Sequence, residues 1–116
     1  MIDRVKPGQA AFDEETFGPV AAITRVSSTE EAIALANQTE FGLAAALWTQ
    51  DIAKARELLP RIDAGAVFVN GMVVSDPRLP FGGIKKSGYG RELGPQGIRE
   101  FTNTKTVWIG PSLEEG

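Results

Sequence analysis

Two stretches of this chain carry side chains whose types and spacing suit chemistry. The first is Asp13-Glu14-Glu15, standing directly before Thr16-Phe17-Gly18-Pro19. Three adjacent carboxylates alone read as solvated surface. Here the apolar Phe17 and the Gly18-Pro19 turn would instead hold Glu15 at the end of a strand, where ligands of α/β sheets bind. The second is the glycine-rich run Phe81-Gly82-Gly83-Ile84-Lys85-Lys86-Ser87-Gly88-Tyr89-Gly90-Arg91, which invites a phosphate-cradle reading. A P-loop needs Lys and then Ser or Thr after its second glycine. Gly83 and Gly88 have the right separation, but Tyr89-Gly90 follows. The dinucleotide fingerprint also fails, because Gly94 falls one residue late after Gly88-Tyr89-Gly90 and the loop comes well after its strand.

Two absences narrow the chemistry. The 116 residues include no Cys and no His. The chain therefore has no thiolate nucleophile, no disulfide and no imidazole for acid–base work or metal ligation. Ser-His-Asp and Cys-His hydrolases and the common zinc sites are excluded within it. With 12 Lys+Arg against 15 Asp+Glu, the chain is mildly acidic, unlike a broadly basic nucleic-acid binder. No apolar run approaches the roughly 18 residues of a spanning helix, and Met1-Ile2-Asp3-Arg4 lacks a signal-peptide segment, so a cytoplasmic protein is expected.

The elements that must position these groups are legible from periodicity. Residues 1–19 show little helical pattern, with Pro7, Gly8, Gly18 and Pro19 as breaks. Val20 to Val26 reads as a buried strand. Ser27 or Ser28, followed by Glu30 and Glu31, opens a capping box for a helix that fades near Asn37. Leu43 to Trp48 reads as a strand. Asp51 caps a second helix that ends between Pro60 and Ile62, and Gly65 to Val69 is the clearest strand. Asn70 to Gly94 reads as one long loop, anchored by Leu79, Phe81 and Tyr89. Pro95 starts a last helix, Thr106 to Ile109 reads as a final strand, and Gly110 to Gly116 as a tail. Such alternation favours α/β architecture with a mainly parallel sheet, and the helices are too few to cover both faces of one.

Taken in order, the motifs resemble the C-terminal part of the aldehyde dehydrogenase family. Glu15-Thr16-Phe17-Gly18-Pro19 matches its E-x-F-G-P motif. Phe41-Gly42-Leu43-Ala44-Ala45, Gly65-Ala66-Val67-Phe68-Val69-Asn70, Pro80 to Gly94 and Thr104-Lys105-Thr106-Val107 are similar to four further family stretches. The resemblance implies a layered α/β/α fold, with residues 1–103 as part of a catalytic domain and 104–116 as an oligomerisation strand and tail. It implies NAD or NADP as cofactor, an aldehyde as substrate, and a homo-oligomer. The implied chemistry is thiolate attack on the aldehyde to a thiohemiacetal, hydride transfer to the nicotinamide and thioester hydrolysis. The nucleophile and the dinucleotide-binding domain would lie outside this chain, which would be inactive alone. By the same resemblance Glu15 takes the nicotinamide ribose hydroxyls, Phe17 packs beside the nicotinamide, and Phe81 lines the aldehyde pocket. Residues 70–80 resemble the corresponding loop of succinate-semialdehyde dehydrogenases, where Ser75 would hydrogen-bond the substrate's distal carboxylate. Asn70 reads as a turn residue, and Lys85, Lys86 and Arg91 as loop anchors or solvated charges. The alternative is a non-catalytic interaction or assembly module derived from the same fold.

Overall fold

The computed structural model describes residues 1–111. Its clearest unit is a strand–helix–strand, built of β4 (Ala44–Leu47), α3 (Ile52–Leu58) and β5 (Ala66–Val69). β4 and β5 run parallel in register from Ala44 opposite Ala66 to Leu47 opposite Val69. α3 begins where Asp51 Oδ1 accepts from the Lys54 N–H at 2.9 Å, satisfying one of the donors that a helix start leaves free. A 3₁₀ turn, Leu59–Arg61, ends it at Pro60. Among the described residues, the buried apolar ones are Ala55 and Leu58 of α3, with Val5.

Ahead of this unit lie β1 (Ile2–Asp3), the short α1 (Ala10–Asp13), β2 (Ala22–Ile23), α2 (Thr29–Gln38) and β3 (Phe41–Gly42). β1 and β2 pair in parallel. The Arg25 guanidinium grips the Asp3 carboxylate with two bonds, of 3.0 and 2.6 Å. Ser28 caps α2 by accepting from the Glu31 N–H at 3.1 Å. Glu31 reaches back one residue further than a standard box, taking the Ser27 N–H and hydroxyl at 2.8 Å each.

After β5 come β6 (Ile84–Lys85) and α4 (Gly94–Glu100). β6 runs antiparallel to β3, with Phe41 opposite Lys85 and Gly42 opposite Ile84. The loop is seated on β5 through Gly65, where a Cβ would sit 1.8 Å from the Gly82 carbonyl oxygen, so only glycine permits the approach.

The expected mixed α/β architecture is present, with five corrections. The strands form three separate two-stranded pairs, two parallel and one antiparallel, rather than one continuous sheet. Residues 1–19 do hold elements, β1 and α1, too short for periodicity to reveal. The 70–94 stretch is organised by β6 and by a bridge between Phe81 and Glu92. The strand expected at Thr106–Ile109 has no ladder within the described residues, and Trp108 is 82% exposed. Its β-branched and aromatic side chains suit a strand, but among the described residues no strand pairs with it. The expected strand over 20–26 shortens to Ala22–Ile23 for want of pairing beyond β1. Of the expected tail, residues 112–116 lie outside the described residues.

Candidate functional site

Two adjoining clefts meet along the β3–β6 pair. The first, of about 520 Å³, is lined by Glu15, Thr39, Phe41, the backbone strip Gly42 to Ala44, Lys86 and Ser87. The second, of about 350 Å³, holds Phe81, Tyr89, Arg91, Glu92 and Phe101, and shares Leu43 and Ser87 with the first.

The wall between them is fixed by hydrogen bonds. Ser87 Oγ accepts from the Gly42 N–H at 3.0 Å, and the Lys86 N–H donates to the Glu40 carbonyl at 2.9 Å. The Lys86 ammonium also pairs with the Glu40 carboxylate beside the first cleft. In the second cleft, Phe81 exchanges both backbone bonds with Glu92 at 2.8 Å. Arg91 donates to the carbonyls of Gly83 at 2.9 Å and Gly90 at 2.6 Å, which pins the glycine loop against itself. Lys85, Lys86 and Arg91 thus all anchor the loop.

The sequence-nominated residues divide between these places. Glu15 stands at the first cleft and Phe81, half-buried, at the second. Phe17 projects from the Gly-Pro turn, 86% exposed, and lines neither. Ser75 is exposed on the 70–80 loop. Beside it, the Arg78 guanidinium donates to both Asp76 oxygens, Nη2 at 2.6 Å and Nε at 2.9 and 3.2 Å. That pairing holds the Asp76 carboxyl below its ordinary range, and it occupies the cation that could otherwise greet an anion. Asn70 is a turn residue: at φ 53° its amide exchanges two bonds of 2.8 Å with the Thr49 backbone. The linings that residue-by-residue reading missed are Thr39, Lys86 and Ser87. Ser87 reaches the cleft wall because its hydroxyl accepts from the distant Gly42 N–H, a pairing that no local pattern encodes.

The cleft at Glu15 offers a carboxylate acceptor, two hydroxyls, one cation and an apolar strip over a short distance.

The comparisons with known proteins agree with this architecture. Residues 1–107 match the model of the aldehyde dehydrogenase family. The chain is 60% identical over 110 residues to a succinate-semialdehyde dehydrogenase [NADP(+)] of Mycobacterium ulcerans, covering 95% of this chain and 24% of that protein. A probable succinate-semialdehyde dehydrogenase [NADP(+)] of Synechocystis is 55% identical over 109 residues, with 94% and 24% covered. The solved succinic semialdehyde dehydrogenase of Streptococcus pyogenes, in complex with NADP+, superposes with a TM-score of 0.87 at 38% identity, over 94% of this chain and 24% of that one. The chain thus spans about a quarter of the length of the relatives it matches, a fragment of their fold. With both clefts built on motifs that the family match spans, the chain belongs to the aldehyde dehydrogenase family.

Proposed function

We propose that this chain is the C-terminal quarter of an NAD(P)-dependent aldehyde dehydrogenase that oxidises succinate semialdehyde to succinate. The observation that carries the reading is the Glu15 cleft, whose acceptor, hydroxyls and apolar strip fit a nucleotide's ribose end. Its likeness to NADP(+)-dependent relatives supports the same assignment.

Each residue then has a physical task. Glu15 accepts from the nicotinamide ribose hydroxyls and so fixes the ring for reaction. Phe17, left in solvent here, packs beside the nicotinamide once the dinucleotide-binding domain is in place. Phe81 gives the aldehyde an apolar wall that excludes water. Ser75 donates to the distal carboxylate of the substrate. The dinucleotide, when bound, supplies the hydride acceptor. The thiolate must come from outside this chain, so the 116 residues are inactive alone. Residues 1–103 belong to the catalytic domain, and 104–116 are an oligomerisation strand and tail, in a homo-oligomer of the cytoplasm.

The test uses the full-length dehydrogenase carrying this segment, with succinate semialdehyde and butanal as substrates. Ser75→Ala should raise KM for succinate semialdehyde about tenfold or more, the worth of a hydrogen bond to a charged group, and leave KM for butanal within about twofold. No oxidation of any aldehyde by the folded protein would sink the enzyme assignment. It would favour a non-catalytic interaction module, a reading that the extensive exposed apolar surface also suits. Turnover by the 116 residues alone would contradict the need for an outside thiolate.

A further inference from the structure

α2 ends without the usual provisions for its last carbonyls. It has no basic residue in its last turn, and its C-cap, Thr39, is extended rather than a left-handed glycine. The missing donor comes from the glycine loop, far along the chain. Lys85 Nζ donates to the Asn37 carbonyl at 2.7 Å and to the Thr39 carbonyl at 3.2 Å. It also lies 3.7 Å from the Asp63 carboxylate, with 26% of its side chain exposed. Asn37 in turn accepts from the Asp63 N–H at 2.9 Å and donates to the Arg61 carbonyl at 2.7 Å. One ammonium therefore ties together the negative end of α2, the turn after α3 and the β3–β6 pair. Lys85 holds φ at 55°, a left-handed backbone that a lysine adopts only when its surroundings demand it.

The strip that this clamp holds is the wall of the first cleft. Thr39 lines the cleft, and its carbonyl is one of the two that Lys85 grips. Phe41 and Gly42 line it as well, and they pair directly with Lys85 and Ile84. From these contacts we infer that Lys85 is a positioning residue: its ammonium sets the Thr39–Gly42 wall at the distance from Glu15 that a dinucleotide requires. Lys85 lines neither of the two clefts. It acts through the carbonyls of Asn37 and Thr39.

The inference rests on the proposed role of the Glu15 cleft, and the two can fail separately. The experiment titrates NADP+ and NAD+ against the full-length dehydrogenase by calorimetry, with steady-state kinetics beside it. Lys85→Met should raise the dinucleotide Kd and KM about tenfold, with KM for the aldehyde within about twofold. Lys85→Arg, which keeps a cation and donors in reach of both carbonyls, should recover most of that loss. Lys85→Gln, a neutral donor, should fall between and serves if the Met variant does not fold. A wild-type protein that binds neither dinucleotide would overturn the cleft's assignment, and this inference with it. Wild-type binding with unchanged Kd in Lys85→Met or Lys85→Gln would overturn the role of Lys85 alone. A fall in Tm with Kd unchanged, or equal losses for dinucleotide and aldehyde, would do the same, since those mark a merely structural residue.

Discussion

Asn70 closes the end of β5 as a further ladder pair would, but with its side chain. Its amide gives and takes one bond each with Thr49, just past the end of β4. Its left-handed backbone turns the chain out of the sheet at the same point. Asn70→Ala should therefore cost about 2 kcal/mol, through two unpaired backbone groups and a strained alanine, read by urea denaturation. Stability equal to wild type would show that the Thr49 bonds hold nothing. Asparagine at a strand end is legible from sequence because the residue tolerates positive φ and bonds locally. The same holds for Ser28 and Asp51, whose caps depend on neighbours three residues away. Glu15, Phe17, Ser75 and Phe81 were nominated by motif. Only Glu15 and Phe81 stand at clefts in this chain, because a cleft wall is made by distant segments that no local pattern encodes.

Between elements, exposed ion pairs act as staples. Asp3 with Arg25 joins β1 to the end of β2, and Glu30 with Arg61 joins the start of α2 to the turn after α3. Each partner arginine holds its carboxyl below the usual range, and the Ser27 N–H and hydroxyl do the same to Glu31. A carboxylate with a lowered pKa stabilises the fold above the ordinary carboxylate range, near pH 4, and that contribution fades as pH falls through the lowered values. Thermal unfolding followed from pH 7 to pH 2 should show a Tm that is flat above pH 5 and falls below about pH 4. Because these groups are solvent-exposed, 1 M salt should shrink the drop. A Tm independent of pH would rule the staples out. The short pair β3–β6 lay hidden in the sequence for a different reason. Ile84–Lys85 alone has no strand pattern, and it becomes a strand only because Phe41–Gly42 arrives beside it. Conversely, Val107-Trp108-Ile109 has the right composition, but among the described residues no strand pairs with it.

As a whole the molecule is long and open. It measures 81 × 33 × 27 Å with a radius of gyration of 20.9 Å, where a compact chain of this length would have about 13 Å. Its accessible surface is 9439 Å², against about 6,100 Å² for a compact monomer of its mass. Large apolar side chains stand in it: Phe17, Trp48, Ile98, Phe101, Trp108 and Ile109 are all exposed. This is the expected shape of a quarter of a larger fold, and the sequence hinted at it through helices too few for the sheet. The isolated chain should bind an apolar dye strongly and elute from a sizing column at a concentration-dependent position larger than 12.4 kDa. A sharp monomer peak with no dye binding would mean that these faces find cover within the chain.

The pairing pattern also orders the chain's assembly in time. β4, α3 and β5 close over a short stretch of sequence, so their loop-closure entropy is small and they can form early. β3 and β6 pair across a much longer stretch of sequence, so closing that loop costs more entropy. The Glu15 cleft, walled by that long-range pair, is therefore expected to form after the β4–α3–β5 unit. A nucleotide that binds only the finished cleft would hold the final step closed, adding stability in proportion to the logarithm of its concentration over Kd and leaving the earlier unit unaffected.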